Sequence, residues 1–177
     1  MSDFYYELAV KVAEICYATK TKNGGIIAMN EVYDILNNRS TTNIGNTNKK
    51  GKKGKNNKSK YSINDIPIAI KKLAVLGGGF RVVKIGNSQM IVSVPTELDQ
   101  DHMEIMSLAS NDDGGGCVTK DDVIHKLKWN DERAERALTL LLQEGMAWKD
   151  NYHGIIFYWF PSIWKEQQQN QQQSNDW

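Results

Sequence analysis

The chain has 177 residues, 40% of them hydrophobic and 24% charged, and a formal net charge of +1. No apolar run approaches the roughly 18 residues of a membrane span, and the N-terminus lacks the basic-then-apolar opening of a secretory signal, so a cytoplasmic protein is expected. Seven lysines between Lys49 and Lys60, with no acidic residue among them, hold more than the whole positive excess and leave −6 on the remainder, which argues against a folded surface built for nucleic acid.

In chain order, Ser2 or Asp3 can cap a first helix whose apolar positions Tyr5, Leu8, Val12, Ile15 and Cys16 keep helical spacing and which ends near Lys22, before Asn23-Gly24-Gly25. Ile26-Ile27-Ala28 reads as a short strand. Asn30 is placed to cap a second helix carrying Val32, Ile35 and Leu36. Residues 38 to 60 are Asn, Ser, Thr, Gly and Lys apart from Arg39 and Ile44, too polar to pack, and are expected to form a disordered insert. Ser62 with Asp65 opens a third helix, 66 to 76, with Pro67 in its first turn. Gly77-Gly78-Gly79 ends it, and strands 80–85 and 89–94 pair around Gly86-Asn87-Ser88.

The second half repeats the order. A helix from about Glu97 to Ala109 precedes Gly114-Gly115-Gly116 and a strand stub at Cys117-Val118; Thr119 with Asp122 caps another helix; Trp129-Asn130 leads into a third, closed by Gly145 before strands 146–150 and 155–160. Ala69, Ile70, Leu73, Gly77, Phe80 and Gly86 match Ala137, Leu138, Leu141, Gly145, Trp148 and Gly154 at an offset of 68, which marks an internal duplication. The expected fold is α+β and mainly helical: two tandem winged-helix domains, each with three helices and a small antiparallel hairpin or sheet. The first spans 1–95 around the insert, the second 96–164, and 165–177 is a Gln-rich, solvated tail. Cys16 and Cys117 have neither CxxC spacing nor clustered histidines, so both are read as buried small hydrophobes, with no metal, cofactor or disulfide implied.

Several strings are more specific than a winged-helix pattern. Asp3-Phe4-Tyr5-Tyr6-Glu7-Leu8, Asn23-Gly24-Gly25, Lys71-Lys72-Leu73, Ser93-Val94-Pro95, Leu127-Lys128-Trp129, Glu144-Gly145 with Ala147-Trp148 and Asp150, and Tyr158-Trp159-Phe160-Pro161 closely resemble the tandem winged-helix subunit of ESCRT-II of the vacuolar protein sorting twenty-two type. The likeness runs over residues 3–36 and 63–164. It implies a non-catalytic adaptor in the endosomal sorting of ubiquitinated cargo to multivesicular bodies, linking ESCRT-I to ESCRT-III and recruited peripherally to endosomal membrane. It further implies two partners: a smaller tandem winged-helix subunit on the second domain and a larger lipid- and ubiquitin-binding subunit on the first. The smaller one is expected to insert a proline- and tyrosine-containing segment into an apolar pocket and to offer an arginine to an acidic residue there.

Candidate contact residues follow from pattern and resemblance together. Ile155, Phe157 and Trp159 face one way along the last strand and Ile156, Tyr158 and Phe160 the other, so one apolar face is left for a partner once the other lies on its own helices. Trp148 and Trp164 add rigid aromatic area, and Asp150 is the candidate acid, against its commoner use as a turn aspartate. On the first domain, the exposed parts of Phe4, Tyr5 and Tyr6 are the candidate contact, since three successive aromatics cannot all face one core from a helix.

The alternative function is DNA binding through the third helix, as winged helices often do. The second domain's third helix carries Asp131, Glu132, Glu135 and Glu144 against Arg133 and Arg136, the wrong balance for phosphates. Enzyme readings are weaker still: His102, His125 and His153 lie in separate elements and are expected at the surface, and neither glycine triplet has phosphate-loop context.

Overall fold

The computed structural model describes residues 2–42, 60–77, 79–94, 98–111 and 115–164. Most of the expected insert and all of the expected tail lie outside these residues, as do Pro95 and Glu97. The first unit comprises α1 (Ser2–Asn23), β1 (Ile26–Ala28), α2 (Met29–Thr42), α3 (Asp65–Val75), β2 (Phe80–Ile85) and β3 (Ser88–Ser93). The second repeats it with α4 (Gln100–Ser110), β4 (Cys117–Thr119), α5 (Lys120–Leu127), α6 (Asp131–Gln143), β5 (Trp148–Tyr152) and β6 (Ile155–Trp159). Each has a three-stranded antiparallel sheet, ordered β1-β3-β2 and β4-β6-β5. Three helices on such a sheet, with a hairpin as the wing, make each unit a winged helix.

Helix ends follow local hydrogen bonding. Thr119 and Asp122 form the expected capping box, Thr119 Oγ1 accepting from the Asp122 amide at 3.0 Å and Asp122 Oδ2 from the Thr119 amide at 3.0 Å. Asn130 Oδ1 accepts from the Arg133 amide at 2.9 Å to start α6. Four expectations need correction. Helix α1 already includes Ser2, and α2 starts at Met29, which puts Asp3 and Asn30 inside first turns rather than at caps. Helix α2 runs on to Thr42, five residues into the expected insert: Leu36 is buried and Asn37 is bonded to the Tyr61 backbone, so the last turns grow from an anchored stem. Helix α4 begins at Gln100 because Asp99 caps it, exchanging hydrogen bonds with His102. That role buries His102 to 5% exposure, where a surface histidine was expected.

The duplication is real, but its offset changes. Gly77 and Gly145 stand 68 apart, yet the ladders place Val82 opposite Ile91 and Lys149 opposite Tyr158, both one residue closer in sequence. Two residues separate Gly77 from Phe80, whereas Gly145 and Ala147 are separated only by Met146. Buried Ala147 therefore takes the place of buried Phe80, and Trp148 that of Arg81. The expected pairing of Phe80 with Trp148, and of Gly86 with Gly154, is off by one, and a one-residue slip moves a side chain to the opposite face of a sheet.

The two units share a core. The inner face of the first sheet, through Ile27, Phe80 and Ile91, packs with Leu8, Val12, Ile15, Ile66 and Leu73 of its own helices. Its outer face, through Ile26, Ala28, Ile85, Met90 and Val92, is continuous with Ile105, Met106 and Ala109 of α4 and the rest of the second core. Buried on both faces, β1 is wholly apolar and β3 carries Met90, Ile91 and Val92 in its buried stretch. The backbones meet at Gly24, where φ is +68° and a Cβ would sit 2.7 Å from Met146 Cα and closer still to the Gly145 carbonyl oxygen. Only glycine fits there, because φ and space are both closed to side chains.

Candidate functional site

The outer face of the second sheet is built by register. Cross-strand partners share a face, so Trp148 beside Trp159, Asp150 beside Phe157 and Tyr152 beside Ile155 all point away from the helices, with Cys117 and Thr119 extending the surface on β4. Trp148, Tyr152 and Ile155 are 53%, 64% and 53% exposed. Phe157 and Trp159 are half-buried. Leaving large apolar side chains in water forgoes about 1.5–3 kcal/mol each, and a contiguous patch of this kind marks a contact surface. Asp150 lies within it, exposed, and forms no ion pair among the described residues.

At the edge of this face is an apolar groove of about 290 Å³ lined by Lys22, Trp148, Trp159, Phe160, Pro161 and Trp164. A single helical turn after β6 shapes it: the Phe160 amide donates to the Gly116 carbonyl at 2.8 Å, and the Trp164 amide to the Phe160 carbonyl at 3.0 Å. Trp164 is thereby held beside the sheet and remains 45% exposed. Sequence reasoning picked out the tryptophans but missed Tyr152, Pro161 and Lys22. Tyr152 was legible from its place opposite Ile155 across the turn, whereas Lys22 is brought in by tertiary structure alone.

The inward half of β6 is covered. Tyr158 is 5% exposed and Phe160 fully enclosed, both packed into the second core, so the strand alternation turns them inward and neither is the open contact residue it was expected to be. Ile156 shares their parity but lies near the hairpin tip, beyond the helices, and stays 36% exposed. Tyr158 also has its phenol held above its usual pKa by burial.

On the first unit, the three N-terminal aromatics separate. Phe4 meets Tyr5 edge-on at 5.1 Å and Tyr61 at 5.9 Å between ring centres, and is 38% exposed. The Tyr5 hydroxyl donates to Asp65 Oδ1 at 3.4 Å, tying α1 to the start of α3. Tyr6 turns outward, 47% exposed, with the Lys72 ammonium 5.5 Å from its ring centre. These rings and the second sheet form distinct surfaces.

No chemistry of a catalytic kind assembles among the described residues. Burial pushes the Cys16 thiol up to about 12 and also raises that of Cys117, the reverse of nucleophile activation. Among the described residues, no group of three or more His, Cys, Asp or Glu could hold a metal ion, and no helix is long and apolar enough to cross a membrane. Helix α6 presents Asp131, Glu132 and Glu135 at its start, with Lys120 drawn onto Asp131 at 2.8 Å and Glu135 at 3.0 Å. An acidic helix start beside the wing disfavours DNA binding.

Fold and register thus define a tandem winged-helix protein with one sheet covered on both faces and one left open. Its sequence matches the EAP30/Vps36 family over residues 1–151, and the chain belongs to that family. It is 38% identical over 165 residues to the vacuolar-sorting protein SNF8 of Dictyostelium discoideum, covering 93% of this chain and 61% of that protein. It is 39% identical to the vacuolar protein sorting-associated protein 22 homolog 1 of Arabidopsis thaliana, covering 92% of this chain and 59% of that protein. The chain therefore spans about six-tenths of the length of these relatives. Among solved structures it is similar to the endosomal complex ESCRT-II (VPS22/VPS25/VPS36), with a TM-score of 0.63 and 29% identity over 91% of this chain and 65% of the matched one. A second ESCRT-II endosomal trafficking complex gives a TM-score of 0.65 and 27% identity, over 92% of this chain and 66% of the matched one.

Proposed function

We propose that this protein is a non-catalytic scaffold subunit of an ESCRT-II assembly, acting in endosomal sorting of ubiquitinated cargo and reaching the endosomal membrane through that assembly. One observation carries the proposal: the aliphatic outer face of the first sheet is covered by the second unit, while the equivalent, aromatic face of the second sheet is open. A duplicated fold that buries this face once and exposes it once presents its second copy for another protein to cover.

The occupant proposed for that face is the smaller tandem winged-helix subunit, received by Trp148, Phe157, Trp159 and Trp164, with Ile156 at the rim. Asp150 takes an arginine of that subunit in two parallel hydrogen bonds. The larger lipid- and ubiquitin-binding subunit is proposed to contact the first unit through Phe4 and Tyr6, with Tyr5 holding the helix start in place. Names of the relatives and of the ESCRT-II neighbours support partners within such an assembly. The boundary between the units is proposed near Pro95.

The test is co-purification with the smaller subunit. Wild-type chain is expected to form a complex that survives size exclusion, and Trp148→Ala or Asp150→Ala to lose it while the chain stays folded. A complex undiminished by both substitutions would place the contact elsewhere.

A further inference from the structure

The aromatic groove is not made by the second unit alone. Five of its lining residues come from β5, β6 and the turn after β6, and none of these carries a charge; the sixth, Lys22, belongs to the last turn of α1 in the first unit. It is delivered there by the Gly24 contact, since Lys22 lies two residues before the point where the two backbones touch. Lys22 forms no ion pair or side-chain hydrogen bond among the described residues. A cationic side chain that lines a groove with three indoles, with no counter-ion of its own, sits where displaced water makes a charge pair stronger than on open surface.

We propose that Lys22 is a specificity-determining residue of this groove: it pairs with a carboxylate on the partner segment that fills it, selecting an extended apolar segment with an Asp or Glu beside its buried ring. The inference rests on the function proposed above and adds the charge requirement. Indole walls favour proline and aromatic rings, which order at low entropic cost. They do not distinguish one such segment from another, whereas a single fixed cation does. The same geometry makes binding sensitive to the docking of the two units, because a shift at Gly24 withdraws the cation without touching an indole.

The experiment is a calorimetric titration of the full chain with the smaller winged-helix subunit, at low and high salt. Lys22→Gln is expected to weaken binding about fivefold to tenfold and Lys22→Glu by about tenfold or more, with the deficit of Lys22→Gln shrinking as salt screens the pair. Lys22 is solvent-exposed, so both variants are expected to melt with the wild type. An Asp→Lys or Glu→Lys exchange in the partner's groove-filling segment is expected to restore binding to Lys22→Glu. Binding of Lys22→Glu within twofold of wild type, while Trp148→Ala is defective, would overturn the role of Lys22 and leave the scaffold proposal standing. No binding by the wild-type chain would overturn both.

Discussion

Trp148 and Phe160 are both aromatic residues of one hairpin region, and the structure gives them opposite work. Phe160 is enclosed in the core, so Phe160→Ala is expected to cost about 3–5 kcal/mol, read as a drop in the urea midpoint. Trp148 is 53% exposed, and Trp148→Ala is expected to change stability by no more than about 0.5–1 kcal/mol while removing partner binding. Gly24→Ala combines a left-handed backbone with a clash against the Gly145 carbonyl and is expected to cost more than about 2 kcal/mol. Gly77, also left-handed but with nothing within 4 Å of where a Cβ would sit, is the control: Gly77→Ala is expected to cost only about 1–2 kcal/mol. The amino-acid pattern showed that the last strand was apolar on both faces. Which face was open required the register, and the single residue missing between Gly145 and Ala147 is invisible to an offset counted across the helix-ending glycines. Lys22 and Gly24 were beyond sequence reasoning for a different reason: their importance lies in meeting residues more than 100 positions away.

At the scale of elements, two helix starts were legible, since Thr119 with Asp122 and Asn130 with Arg133 are bonded over three residues, whereas Asp3 and Asn30 lie inside their helices and Ser62 does not cap α3. Asp99 with His102 has the same spacing but escaped notice because histidine is an uncommon member of a capping box. The α4–α6 pair is held by Asp101, which accepts from Arg133 Nη2 at 2.6 Å and Nε at 3.0 Å, with the same guanidinium 4.0 Å from the Trp129 ring centre. Arg136 adds a weaker contact to Asp101 at 3.7 Å. Hydrogen bonding by Arg133 keeps the Asp101 carboxyl below its ordinary value of 3.8, against the opposing effect of burial. A carboxyl depressed in the folded state contributes stability that is complete above 3.8 and is lost as pH falls below it toward the folded value. Asp101→Asn is therefore expected to lower the thermal midpoint at neutral pH, with the gap to wild type narrowing as pH drops below 3.8. A gap constant across that range would mean that the clamp holds by packing rather than charge.

Taken whole, the molecule consists of two small folds that are completed by contact. Units of this length lie near the lower size limit for an independent core, and the shared cluster from Ile26 to Ile163 shows how that limit is met here: the first sheet is finished by the second unit. A fragment ending at Val94 would expose Ile26, Met90 and Val92 and is expected to bind a hydrophobic dye and self-associate, unlike the full chain. The second sheet has no such cover within the described residues, and the central claim is that another protein supplies it. Hydroxyl-radical footprinting of the side chains, read by mass spectrometry with and without the smaller winged-helix subunit, tests that claim most directly. Trp148, Tyr152 and Trp164 are expected to react readily in the free chain and to be protected in the complex, with Phe160 protected in both. A complex that forms while those three exposed rings keep their full reactivity would contradict the account.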